Sequence, residues 1–214
     1  MTRVGPLTRP AGGWQARTAA NLICAQLRGI AVFHAMLQLE PEPQGPHGTR
    51  EQRLDEARRQ DIADRERRAL VAMAEAAQHE VYPLDLHAAP RAVLAHRNAW
   101  LREKLTLALR ELGVSVAAST HDGAVASAAI AFEQPEIVFV EDLLPGLRGI
   151  EVIARAVTCA PEALIAAAGM DQDSMRGLSD AGARAVFSRR IPPTEVADEL
   201  VWCLHHQDVV LSRI

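Results

Sequence analysis

From Ala19 to Glu40 apolar residues recur at Ile23, Leu27, Ile30, Phe33 and Leu37, one stripe at helical spacing. The pattern predicts a single helix over 19–40. It stops at Glu40-Pro-Glu-Pro-Gln-Gly-Pro-His-Gly48, a turn segment no helix can cross. Thr49 then opens a second helix, with Gln52 at capping-box spacing, that runs to about Glu80. Acid-first pairs four apart (Asp55/Arg59, Asp61/Arg65, Asp64/Arg68) support it. Its first half is polar all round, whereas Leu70, Met73 and Ala77 can pack. Two helices joined by a short loop form a hairpin with little core of its own. Residues 1–80 are therefore expected to be a helical domain that pairs with a second copy into a four-helix bundle. Ile23, Leu27, Ile30, His34 and Leu37 would form that homodimer contact. Val81–Pro90 holds two prolines and breaks the helical period; it reads as a linker.

Beyond the linker, over 91–214, the period changes. Short apolar runs are expected as strands at 91–95, 114–118, 136–141, 163–167 and 184–187. Helical patterns fall between and after them at 98–112, 122–132, 149–158, 172–181 and 193–206. Five strands alternating with five helices predict an α/β fold with a doubly wound, mostly parallel sheet. The sharpest local feature is Pro135–Gly146, PEIVFVEDLLPG. An apolar run ending in Glu141-Asp142 and closed by Pro-Gly is how a buried parallel strand delivers carboxylates to the carboxyl edge of a sheet, where doubly wound folds place their chemistry.

Charge and composition narrow the function classes. Residues 1–90 carry eleven basic and eleven acidic side chains, and residues 91–214 twelve and sixteen, so neither half offers the clustered positive face that nucleic acid requires. No apolar run approaches the roughly 20 residues that span a bilayer, and the N-terminus lacks the apolar core of a secretory signal. Cys24, Cys159 and Cys203 are scattered, implying neither a disulfide framework nor a zinc knuckle. The expectation is a cytoplasmic protein without a membrane, nucleic-acid or metal site. Gly-rich dinucleotide and P-loop signatures are absent, as is any local Ser/His/Asp or Cys/His arrangement, so no enzymatic activity and no cofactor are expected.

The order and spacing of Ala92–Gly113, the PEIVFVEDLLPG segment, Gly149-Ile150-Glu151-Val152, Ala181-Gly182-Ala183 and Ile191-Pro192-Pro193-Thr194-Glu195 resemble receiver domains of two-component response regulators. The resemblance covers residues 91–207 and implies a flavodoxin-like five-stranded fold. It also implies five functional positions. Receivers bind Mg²⁺ through an acidic pair after the first strand, where this chain has His96 and Arg97. Their phosphorylated aspartate corresponds to Glu141, their Thr or Ser to Ala167, and their lysine to Arg189. Every one is changed. Without the metal, phosphoryl transfer loses its charge neutralisation. Arg97 or Arg189 is expected to pair with Glu141 in the metal's place, and Glu141 to imitate a phosphorylated aspartate.

The implied role is that of an atypical response regulator, a pseudo-receiver that binds signalling proteins such as kinases or other regulators without being phosphorylated. By resemblance its contact face contains Val186, Phe187 and Trp202, with Val201 and Leu204 beside them. Two alternatives stay open: a small-molecule sensor using a cavity left by Ala167 and Ala168, and a phosphotransfer protein acting through His34. Asp142 is a lesser candidate acceptor, because its neighbour Glu141 should point to the opposite face.

Overall fold

The computed structural model describes residues 49–77, 89–206 and 211–213. The first element is a long helix, α1 (Arg50–Ala77), and its start is the expected capping box. Thr49 N donates to Gln52 Oε1 at 2.8 Å and Gln52 N to Thr49 Oγ1 at 3.2 Å. Then follow β1 (Arg91–Ala95), α2 (Ala99–Glu111), β2 (Ser115–Thr120), α3 (Gly123–Glu133), β3 (Ile137–Glu141), α4 (Gly149–Cys159), β4 (Leu164–Gly169), α5 (Gln172–Asp180), β5 (Ala185–Ser188), α6 (Pro193–His205) and β6 (Leu211–Arg213).

The strands form one sheet in the order β2-β1-β3-β4-β5-β6, with every neighbouring pair parallel. Five of these strands and the five helices that follow β1 to β5 occupy the segments the periodicity predicts. The sixth strand is an addition: β6 pairs with β5, Ala185 opposite Leu211. A three-residue strand is too short to leave an alternating pattern that sequence reading can detect.

Alternation along the strands divides the core into two layers. Ala92, Leu94, Ile137, Phe139, Ala166 and Phe187 pack with Leu105 and Leu109 of α2 and Leu200 of α6. Val93, Val138, Val140, Ile165 and Val186 pack with Ile130, Ile153 and Leu178 of α3, α4 and α5. Both faces of the sheet are covered, which is why its central strands read as continuous apolar runs.

The second layer carries an extra helix. Ile62 of α1 joins the α3–α5 cluster, Met73 packs against it, and Leu70 is also buried. Glu66 is buried and ion-paired with Arg155 of α4; Arg65 reaches both Asp61 and Asp122 at 2.8 Å. The half of α1 that can pack thus does so against the sheet domain. Residues 50–61 are exposed throughout, including Leu54. The expected helix 19–40, the linker over 81–88 and the five residues of the expected homodimer contact lie outside the described residues. Among the described residues no helix is long and apolar enough to cross a membrane.

Candidate functional site

The carboxyl ends of β1, β3 and β5 meet on one side of the sheet. Parity decides which side chains share that place. Leu94, Phe139 and Phe187 face α2 and α6, so the residues two further on, His96, Glu141 and Arg189, continue on the same face. Ala95 stands opposite Val140, which brings His96 level with Glu141.

Glu141 is the centre of the cluster and is 1% exposed. Its Oε2 accepts the backbone N–H of Arg97 at 2.6 Å, and its Oε1 accepts Arg97 Nε at 3.3 Å. Arg189 Nη2 makes a close ionic contact with the same Oε1, though without hydrogen-bond alignment. A buried carboxylate must be paired and hydrogen-bonded to exist at all, and here one glutamate is met by two guanidinium groups and a backbone amide. Of the two expected partners, Arg97 and Arg189, both are engaged.

His96 does not add a third positive charge. Its Nδ1 accepts the Asn98 N–H at 3.0 Å, which assigns the ring proton to Nε2. Burial pushes its pKa down; Glu141 works against that shift, while Arg189, Arg102 and Arg97 add to it. The approach of Nδ1 to Glu141 Oε2 at 3.5 Å is therefore a contact with a neutral ring. His96 Nε2 and Arg189 Nε are buried with no hydrogen-bond partner among the described residues. Arg102, one turn into α2, donates to the carbonyls of both His96 and Arg97 and fixes the loop that carries them.

Two expected members stand elsewhere. The sheet register pairs Val140 with Ala167 and Glu141 with Ala168, and Ala167 belongs to the α3–α5 layer. Ala168, not the expected Ala167, therefore stands beside Glu141, because adjacent residues on a strand face opposite sides. Neither alanine carries a hydroxyl. Asp142 is turned away as its parity requires, and its Oδ2 accepts Ser174 Oγ at 2.7 Å. Ser174 in turn accepts the Met170 N–H at 3.2 Å, which ties the end of β3 to the start of α5.

Gly149 presses the loop against the site. A Cβ there would come within 2.3 Å of the Glu141 carbonyl oxygen, and its N–H donates to Asp142 O at 2.7 Å. Arg102, Ser174 and Gly149 were not foreseen from sequence. Arg102 had a usable signal, a basic side chain on the first turn after the loop.

The Mg²⁺ that receivers bind does not fit these residues. It requires several carboxylate oxygens in octahedral array. Among the described residues the only carboxylate facing the site is already paired with Arg97 and Arg189, and the loop after β1 contributes a neutral imidazole and a guanidinium. With Asp142 directed to Ser174, the cluster carries one negative and two positive charges.

The expected contact face is also revised. Val186 is 3% and Phe187 1% exposed, so neither can touch a partner; each faces a helix layer of the core. Trp202 remains at the surface, 42% exposed, its ring stacked on His206 at 4.4 Å.

No family model and no curated protein matches the chain. Solved structures do match over the sheet domain. The signal receiver domain of the response regulator NarL from Mycobacterium tuberculosis is 22% identical, with a TM-score of 0.50 over 55% of this chain and 97% of that one. A CheY-like receiver domain protein from Methanospirillum hungatei is 16% identical, with a TM-score of 0.52 over 56% and 97%. The receiver domain of RcsB from Salmonella enterica is 13% identical, with a TM-score of 0.52 over 58% and 94%. At these identities the likeness is one of fold: the sheet domain that follows α1 has the flavodoxin-like fold of response-regulator receiver domains.

Proposed function

We propose that this protein acts in signal transduction as a pseudo-receiver, binding other signalling proteins without being phosphorylated. The observation that carries the reading is the engagement of Glu141 by Arg97 and Arg189. Phosphoryl transfer needs an acceptor open to in-line attack and cations positioned on the incoming group. Here the residue at the acceptor position is buried, one methylene longer than aspartate, and already engaged by Arg97 and Arg189. Its two arginines supply internally the charge neutralisation that a metal supplies in receivers, and they tie β1, β3 and β5 together in one arrangement. The partner face we assign to α6, with exposed Trp202 as its anchor, since a large aromatic at a surface is the side chain most often used to hold a partner.

The test is a titration with Mg²⁺ and beryllofluoride followed by amide NMR shifts and tryptophan fluorescence. Shifts at His96, Glu141 and Arg189 that stay within noise are expected. A saturable response at those three residues would show that the site binds metal and phosphoryl groups, and the reading would fail.

A further inference from the structure

Among the described residues an open groove of about 650 Å³ lies between α1 and the turn from β2 into α3, a volume within the range of small-molecule sites. Its apolar lining comes from Ala69, Ala72 and Met73 of α1 and Val125 of α3. The polar groups around that lining are unequally used. Asp122 is the only carboxylate among the lining residues, and both its oxygens are taken. Oδ1 accepts the N–H groups of Ala124 and Val125 at 2.8 and 3.2 Å, and Oδ2 accepts Arg65 at 2.8 Å. Arg65 is also held by Asp61. The donors are less committed. Arg68 gives its Nε to the Asp64 carbonyl, and no carboxylate among the described residues pairs with its guanidinium. Thr120 Oγ1 accepts the Asp122 N–H at 3.1 Å, which leaves the hydroxyl proton to donate. His121 is exposed and offers a ring N–H in either tautomer. The groove thus presents apolar surface bordered by donors and one unpaired cation.

We propose that the groove binds a small carboxylate with an apolar body, its head on Arg68 and its body on Ala69, Ala72, Met73 and Val125. Charge complementarity selects this chemistry. A cationic guest would find no open carboxylate, because Asp122 is consumed by Arg65 and two backbone amides. A neutral guest would gain the apolar contact and leave the Arg68 charge to water. Only an anion with an apolar body uses both. Methionine is unbranched and adjusts to guests of different shape, so the lining suits a class of ligands rather than one outline. Such an occupant also has a consequence for the fold. The lining is drawn from α1 and from the sheet domain, so a bound molecule bridges them and opposes the release of α1. The site is separate from the partner face on α6 and does not rest on it.

Amide NMR titration of the full chain tests this with three probes of one chain length: decanoate, 1-decanol and decyltrimethylammonium. Decanoate should give saturable shifts at Ala69, Ala72, Met73 and Val125. Decanol should bind about fivefold more weakly, the scale of an exposed ion pair, and the cation should bind more weakly still. Arg68→Gln should reduce decanoate affinity to that of decanol and leave decanol unaffected. Ala72→Glu should abolish binding of decanoate. Ala72 and Arg68 are exposed, and unchanged amide exchange in β3 and β4 verifies that both variants stay folded. With decanoate at ten times its dissociation constant, exchange over 62–73 should slow about tenfold. Absence of saturable shifts at the four lining residues overturns the proposal. So does equal affinity for the three probes, or decanoate binding that survives Ala72→Glu.

Discussion

Glu141 shows what a buried carboxylate requires of its neighbours. A buried carboxylate is costly unless paired, and removing either side of a buried pair exposes that cost on the other. Glu141→Ala should therefore destabilise the protein by about 3 kcal/mol, because it leaves Arg189, only 21% exposed at its side chain, without a counter-charge. Arg97 is half in solvent, so Arg97→Ala should cost less than about 1 kcal/mol. Urea unfolding midpoints of the two variants measure the contrast, and equal losses would contradict it. His96 gives the site a pH dependence. Its folded pKa lies below the ordinary 6.5, so its contribution to stability is fully present above that value and is lost as pH falls through the folded one. The unfolding midpoint of the wild type should drop on acidification below 6.5, and His96→Gln should flatten that part of the curve. An unchanged slope in the variant would remove His96 from the account.

At the scale of elements, α1 is attached to the sheet domain by a buried acid rather than by apolar contact alone. Burial pushes the Glu66 carboxyl up from its ordinary 4.5, against the pull of Arg155. A raised acid favours the fold below 4.5 and loses that contribution as pH rises through the folded value. Arg155 offsets the loss at neutral pH. Arg155→Ala should thus loosen α1 at pH 7, seen as faster amide exchange over 62–73, and the effect should shrink below pH 4.5, where Glu66 is protonated. Glu66→Gln should leave α1 in place, since Arg155 is 46% exposed and can turn to solvent. Loss of α1 protection in Glu66→Gln would show that the charge itself, not its burial, holds the helix. This interface was only half legible in the sequence. Leu70 and Met73 announced a packing face, but Ile62 and Glu66 sit in a stretch that reads as polar all round, and only tertiary packing gives them a partner. The strands and helices from 91 to 206 were legible because the central strands β1, β3 and β4 are nearly continuous buried apolar runs and the helices between them are set off by caps and turns. Side-chain partners such as Ser174 on Asp142 join residues 32 apart in sequence, and no local pattern encodes them.

Among the described residues the two helix layers are covered unequally. One layer of helices, α3 to α5, lies partly beneath α1, while α2 and α6 face solvent with Trp100, Leu107 and Trp202 exposed. Counting residues against a familiar motif singled out His96, Arg97, Glu141 and Arg189, which the structure brings together at one sheet edge, whereas Ala167 faces the opposite layer and Val186 and Phe187 are buried. Val186 and Phe187 are buried because helices cover β5 on both faces, so either parity is hidden; Ala167 is a matter of parity. Position along a strand can be read from sequence, but which of two adjacent residues faces a given layer depends on the register, which the backbone pairing alone sets. The ion cluster has one further consequence. On the proposed function, a receiver-like domain that carries its own counter-cations would depend on neither the magnesium nor the phosphate supply of its surroundings. On this reading its strength as a signal is a matter of dosage: copy number sets how many partners are occupied, and synthesis and turnover, rather than kinases and phosphatases, set its timing.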